Sequence, residues 1–136
     1  MFTGATSFNG DLSGWCPTKA TSFEDFAYGA TSYQGGNLTG WAPCVGSATS
    51  MSQMFRGANF TGEAQGWQLT KVTDMKYMFY GNAFFQADSI SDWWVGNVED
   101  MSFAFMYATA FNADLSNWDG ESSFGTNCRP PIFRFG

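Results

Sequence analysis

The chain contains 136 residues, which is the size of one ordinary domain. Hydrophobic residues make up 44% of it and aromatic residues 19%, enough apolar mass for a core, so an intrinsically disordered chain is excluded. Histidine is absent, which excludes catalytic triads that use an imidazole base and zinc sites of the HExxH type.

Twelve acidic and six basic residues give a net charge of −6. A negative surface repels phosphate backbones, so we expect no nucleic-acid partner. The basic residues form no run that would attract an anionic membrane, and no apolar stretch approaches the roughly 20 residues of a membrane span. The first residues also lack the basic start and apolar segment of a signal peptide.

The strongest signal is an internal repeat marked by tryptophan. Five of the six tryptophans follow one another at intervals of 26, 26, 26 and 25 residues: Trp15, Trp41, Trp67, Trp93 and Trp118. Three residues before each lies an apolar side chain: Leu12, Leu38, Ala64, Ile90 and Leu115. The residue just before each is of a type that tolerates positive φ, which predicts left-handed turn positions: Gly14, Gly40, Gly66, Asp92 and Asn117.

Between the tryptophans runs a second motif, Met-x-x-Met-Phe. It begins at Met51 and Met75, with degenerate copies at Phe23 and Met101. Its i, i+3, i+4 spacing predicts a short helical turn with one apolar face. A single coil cannot bury these side chains, so we predict that successive coils stack and cover them. The predicted core includes, besides the tryptophans and the leucines and isoleucine before them, Met54, Met78, Phe55, Phe79 and Phe105.

Cys16 and Cys44 lie 28 residues apart, close to one repeat period. Stacked coils would bring them near each other, which favours a disulfide and an oxidising compartment. The alternative is that all three cysteines, including Cys128, are reduced and pack as small apolar groups.

Residues 1–15, MFTGATSFNGDLSGW, resemble the BspA-type leucine-rich-like repeat of bacterial lipoprotein-type and protist surface proteins, MFxGAxxFNxDLSxWDxSxVTDMSxMF. Residues 71–79 and 111–119 are similar to it as well, and the likeness covers 1 to about 120. The resemblance implies a solenoid, a surface or extracellular setting and a role in adhesion or recognition, with no catalytic residues.

We therefore predict an α/β repeat solenoid, leucine-rich-repeat-like and right-handed. It would have about five coils of 25–26 residues, each with a short strand and a short helical turn. The solenoid would cover residues 1–120, and residues 121–136 would form a tail or cap. Because Met1 already occupies a methionine position of the repeat, we expect a fragment or a processed chain.

The function predicted is a non-catalytic surface module that presents a repeated face to a protein or a glycan. The alternative is a small linker subunit that docks by its open coil ends onto a larger assembly or filament. Carbohydrate binding would need several tryptophans or tyrosines on one exposed face. No metal, cofactor or catalytic residue is predicted.

Three other interpretations stay open. The tryptophans could form an exposed strip for sugar rings rather than a core column. Acidic side chains such as Asp11, Glu63 and Asp114 could bind calcium, although no loop of the DxDxDG type is present and short acidic side chains usually bond nearby backbone. Recurrent threonines, such as Thr21, could form an ice-binding ladder rather than ordinary surface positions.

Overall fold

The computed structural model describes residues 1–86 and 88–119. In these ranges the only helices are three short 3-10 helices, Thr39–Cys44, Asp88–Ile90 and Ser116–Asp119. The first and third contain Trp41 and Trp118, and the second ends three residues before Trp93. In three of the five repeats, a helix therefore lies at the same place, next to the tryptophan.

Successive repeats are joined by single-residue parallel β-bridges rather than by strands. One series runs along the chain from Ser22 to Ser50, on to Asp74, and on to Asp100. Two further bridges join Asn37 to Glu63 and Gln68 to Trp94. The repeats are thus stacked in parallel register, with equivalent residues opposite one another.

The Met-x-x-Met-Phe segments form β-turns. In the repeat that begins at Met51, the amide of Met54 donates to the carbonyl oxygen of Met51 at 3.2 Å. Gln53, the third residue of the turn, has a φ of +57°, which is characteristic of a type II turn. The equivalent residues of the other repeats also have positive φ: Asp25, Tyr77 and Phe103.

Alternate backbone amides of this segment donate to the next repeat. The amides of Met51, Gln53, Phe55 and Gly57 bond carbonyl oxygens of the following repeat at 2.8–2.9 Å. The intervening amides close turns inside their own repeat: Met54, Arg56 and Ala58. Each repeat therefore needs its neighbour to satisfy half of the donors in this segment.

The predicted fold class, an α/β solenoid with a strand and a helical turn in each coil, is wrong. The described residues contain no α-helix and no sheet. An α-helix requires each amide to bond the carbonyl four residues back. Here alternate amides bond the neighbouring repeat, and the third residue of the turn has a positive φ, so the apolar i, i+3, i+4 spacing is met by turns instead.

Four of the five repeat tryptophans form a buried column. The indole rings of Trp41, Trp67, Trp93 and Trp118 lie 6.0, 5.3 and 6.3 Å apart in succession, with interplanar angles of 3° to 7°. Trp15 does not join them, since it is 42% exposed. The prediction of a core column is therefore wrong at Trp15, and the interpretation as an exposed strip is wrong for the other four.

Each buried indole N–H donates to a backbone carbonyl of the preceding repeat. Trp41, Trp67 and Trp93 bond residues 29 positions earlier, at 2.9, 2.9 and 2.7 Å, and Trp118 bonds Ile90 at 3.0 Å. All four acceptors are the apolar residues three before the previous tryptophan: Leu12, Leu38, Ala64 and Ile90. The column therefore fixes register through directed bonds as well as through ring contact.

The remaining predicted core residues are all buried. A second aromatic column runs beside the indoles, with ring centroids of Phe55, Phe79 and Phe105 separated by 5.6 Å at each step. The other buried members are aliphatic or contain sulfur: Leu12, Leu38, Ile90, Leu115, Met54 and Met78.

The predicted left-handed turn is present only at Gly66, where φ is +79°. Gly14, Gly40 and Asp92 do not have positive φ, and Asn117 lies within the 3-10 helix Ser116–Asp119. In these four repeats the tryptophan amide bonds the carbonyl three residues back. That bond closes a turn in which the residue before the tryptophan can keep a negative φ, and such turns also favour Gly, Asn and Asp.

Cys16 and Cys44 form a disulfide with a Cα–Cα distance of 5.1 Å. It links the first tryptophan repeat to the second, and Cys44 is fully buried. The predicted tail, 121–136, and Cys128 lie outside the described residues.

Replacing one indole of the column should destabilise the protein far more than replacing an exposed one. Trp67→Phe removes the bond to Leu38 and leaves space beside Trp41 and Trp93, so we expect a loss of about 2–3 kcal/mol in the free energy of unfolding. The matched control, Trp94→Phe, alters a side chain that is 40% exposed and should cost under about 0.5 kcal/mol. Urea denaturation measures both, and equal losses would contradict the buried column.

Removing the disulfide should lower the free energy of unfolding, chiefly because the unfolded chain gains conformational entropy. For a loop closed over 28 residues, the Cys16→Ala, Cys44→Ala double variant should lose about 3–4 kcal/mol. Guanidinium denaturation of the variant and of the oxidised protein measures the difference. An unchanged denaturation midpoint would show that the two cysteines are not bridged in solution.

Candidate functional site

A cluster of large side chains outside the core, the aromatic–arginine surface, spans several repeats. It comprises Tyr28, Arg56, Tyr77, Tyr80, Phe103 and Tyr107. Phe103 is 47% exposed and Tyr107 is 59% exposed. Exposed large apolar residues that cluster, rather than scatter singly, mark an interaction site.

Arg56 lies at the centre of this surface. Its guanidinium carbon is 5.2 Å from the ring centroid of Tyr28 and 4.9 Å from those of Tyr77 and Tyr80. Its Nη1 donates to the side-chain oxygen of Gln53 at 2.5 Å. The guanidinium therefore contacts three phenol rings and one amide, all of which are uncharged, and each ring contact is a cation–π interaction.

The rings also contact one another across repeats. Tyr77 stacks on Phe103 with centroids 5.0 Å apart, and Tyr80 meets Tyr107 edge to face at 5.2 Å. Tyr77 and Tyr80, within one repeat, are 5.5 Å apart. Because both edges and faces are engaged, the side chains hold one another in place before any partner binds.

The turns explain why these side chains face outward. Tyr77 and Phe103 occupy the third turn position, where φ is +56° and +59°, and Tyr107 has a φ of +61°. Met75, Met78 and Phe79 around Tyr77 are buried, as are the equivalent residues around Phe103, so the turn directs its two central residues outward and its ends inward. The same backbone that builds the core therefore presents the aromatic–arginine surface.

This surface was not predicted from the sequence. The x residues of Met-x-x-Met-Phe lie off the apolar face of the helical turn that the motif predicts, so the motif indicates no function for them. The signal that could have found the surface was an aromatic residue at an x position in two successive copies, Tyr77 and Phe103. An outward-facing repeat position that carries large rings would have indicated a binding surface.

Asp11 and Asp114, two of the acidic side chains considered as calcium ligands, bond backbone, and so do other aspartates of the repeat. Asp11, Asp74, Asp100 and Asp114 each accept a bond from the amide two residues later, at 2.8–2.9 Å. Asp92 accepts one from Gly66 at 2.9 Å. The described part of the chain contains no group of three or more His, Cys, Asp or Glu that could hold a metal ion.

The threonine series is stacked, but its hydroxyls bond the backbone. Thr49 donates to the carbonyl of Thr21 at 3.1 Å, and Thr73 donates to that of Thr49 at 3.4 Å. These are the hydroxyls that an ice-binding face would present to solvent. The series therefore joins repeats to one another.

The fold defines the class of protein: a chain of tandem repeats, each of which shares its core and hydrogen bonds with the next. Residues 1–62 and 49–127 match the model of a family described as "Mycoplasma protein of unknown function, DUF285". The two matches together cover most of the chain, which therefore belongs to this family. No curated protein and no solved structure gave a match.

A membrane-crossing helix would have to be far longer and more apolar than any helix found in residues 1–86 and 88–119.

Acid should destabilise the protein partly through Asp100. The Ser102 hydroxyl and backbone amide, together with the charge of Lys76, hold the pKa of the Asp100 carboxyl below its ordinary value of 3.8. A folded-state pKa that is lower than the unfolded one stabilises the fold above about pH 4, and this contribution is lost as the pH falls through the folded pKa.

The Asp100→Asn variant cannot lose this contribution. We therefore expect the fall in melting temperature between pH 5 and pH 2 to be smaller for the variant than for the unaltered protein. Thermal denaturation followed by circular dichroism across that range measures it. Parallel curves for the two proteins would exclude a role for Asp100 in acid sensitivity.

Proposed function

We propose that this chain is a non-catalytic recognition module that binds a protein partner through the aromatic–arginine surface. The observation that carries the proposal is the placement of Arg56 among Tyr28, Tyr77 and Tyr80, with Phe103 and Tyr107 exposed beside them. Tyrosine and arginine are enriched among the residues that supply most of the binding energy in protein interfaces.

Preorganisation supports the proposal. Ring contacts between two repeats and the bond from Arg56 to Gln53 already fix these side chains. Binding then costs less side-chain entropy than it would at a flexible surface. A partner that covers the exposed parts of Phe103 and Tyr107 would bury apolar area without reordering the site.

The chemistry of the surface favours a partner with a carboxylate next to apolar side chains. The side chains that Arg56 contacts are uncharged, and Lys76 Nζ lies 5.5 Å from the Tyr77 ring, so this cationic region can pair with an acidic residue of the partner. A sugar would need open ring faces, whereas the face of Tyr77 is covered by Phe103 and Arg56. This distinction favours protein over glycan at this surface.

Two further observations support a non-catalytic role in an exported setting. The sequence contains no histidine, and the disulfide between Cys16 and Cys44 suits an oxidising compartment. The likeness to BspA-type surface repeats supports the same setting. The family description assigns no function.

A random peptide library displayed on phage tests the proposal, because selection from it requires no named partner. We expect selection on the immobilised protein to enrich peptides that combine Asp or Glu with aromatic or aliphatic residues. Arg56→Ala should weaken the binding of selected peptides by about 30-fold, which corresponds to about 2 kcal/mol. Fluorescence anisotropy of the labelled peptides measures the change.

Lys71→Ala is the matched control, because Lys71 is an exposed cation outside the aromatic–arginine surface. It should leave peptide affinity within about twofold, since rim or distant charges contribute little. Peptides that bind Arg56→Ala as tightly as the unaltered protein would refute this surface as the site. Failure to enrich any peptide would refute a protein-recognition role for the module.

A further inference from the structure

A polar groove crosses the repeats at another position, lined by residues that the aromatic–arginine surface does not use. One cleft, with a volume of about 510 Å³, runs past Asn9, Asp11, Gln34 and Asn37 to Glu63. A second cleft of about 470 Å³ shares Thr61, Gly62 and Glu63 with it and extends the groove towards later repeats: Phe84 and Gln86. We propose that this groove binds a neutral oligosaccharide that lies along the stack of repeats.

Glycines form the base of the groove. Gly35 and Gly36 have φ of +85° and +60°, and a Cβ at Gly62 would lie 2.5 Å from the carbonyl oxygen of Gly36. Side chains are therefore excluded at Gly62, and the backbone of adjoining repeats lies open at the surface. A Cβ at Gly36 would meet nothing within 4 Å, so the space above it is available to a ligand.

The walls provide fixed donors and acceptors. The Oδ1 atoms of Asn9 and Asn37 accept bonds from the amides of Gln34 and Thr39, each at 3.0 Å. Both side chains are held by these bonds, which leaves their Nδ2 groups as donors. Asp11 is held in the same way by Ser13, whose amide donates to Oδ1 at 2.9 Å, and an ionised carboxylate can still accept further bonds.

Donors and acceptors side by side match hydroxyl groups, because each hydroxyl both donates and accepts. An oligosaccharide presents such groups along its whole length. The repeat provides matching positions in register, because the residue after each repeat's aromatic is polar: Asn9, Gln34, Thr61 and Gln86. A ligand that lies along the stack would therefore meet similar chemistry at each repeat.

The second cleft adds an aromatic side chain. Phe84 lines it and is 62% exposed. An open ring face can pack against the apolar face of a sugar ring, and specificity then comes from the polar groups around it. In this respect Phe84 differs from Tyr77, whose ring is covered by its neighbours.

The charge of the groove excludes other ligand classes. Asp11 and Glu63 both line it, and no lysine or arginine does, so phosphates, sulfated glycans and nucleic acids are repelled. The described residues form no metal-binding cluster here or elsewhere. A peptide would require apolar pockets for its side chains, whereas these walls are mostly amides, hydroxyls and carboxylates.

Isothermal titration calorimetry with maltohexaose, cellohexaose and chitohexaose tests the proposal. At least one of the three should bind with a dissociation constant on the order of micromolar to millimolar. A heparin-derived hexasaccharide is the anionic comparison and should bind more weakly. No binding of any neutral hexasaccharide at millimolar concentration, or preferential binding of the heparin fragment, would overturn the proposal.

Gly36→Asn should place a side chain in the groove without straining the backbone, because asparagine tolerates positive φ. We expect it to weaken hexasaccharide binding by at least about tenfold. Gly4→Asn is the matched control: Gly4 also has a positive φ, +68°, and open space at its Cβ, but it does not line the groove. Circular dichroism and melting temperature verify that both variants fold.

Phe84→Ala gives a second, independent readout, since loss of an exposed ring leaves the core intact. It should also weaken hexasaccharide binding, by about threefold or more. Arg56→Ala should leave sugar binding unchanged, so failure of the groove proposal can be distinguished from failure of the protein-recognition proposal. Sugar binding that survives both Gly36→Asn and Phe84→Ala would place the sugar elsewhere and overturn the assignment of this groove.

Discussion

The indole column holds the repeats together in a way that few other side chains could. Each of Trp41, Trp67, Trp93 and Trp118 contributes a large flat ring to the stack and a single directed N–H bond to the repeat before it. Ring contact buries apolar surface, and the N–H bond specifies the backbone position of the preceding repeat against which the ring packs. The turns, the bridges and the second aromatic column all depend on that register.

Once the register is fixed, outward positions are free to differ between repeats. Gln53, Tyr77 and Phe103 occupy the same turn position, yet they differ widely in size and polarity. The core is unchanged because the flanking residues face inward. This separation explains how one backbone can carry both an aromatic–arginine surface and, at another position, a polar groove.

Much of the core could be predicted from sequence, because the spacing of tryptophan and the apolar residues before it reports directly on stacking. The backbone conformation could not be predicted in the same way. The i, i+3, i+4 spacing at Met51 fits a helical turn and a pair of β-turns equally. The two are distinguished by the positive φ of Gln53 and by the bonds from Gln53 and Phe55 to the next repeat. For the same reason the outward direction of Tyr77 was invisible in the sequence.

The alternation of backbone bonds has a consequence for hydrogen exchange. The amides of Met51, Gln53 and Phe55 are protected only while the next repeat stays docked, whereas those of Met54 and Arg56 are protected by turns inside their own repeat. If one repeat undocks from its neighbour, the odd-numbered amides of this segment would exchange with deuterium first. The even-numbered amides would stay protected by their turns. Neighbouring residues of a single turn would then report separately on undocking and on local unfolding.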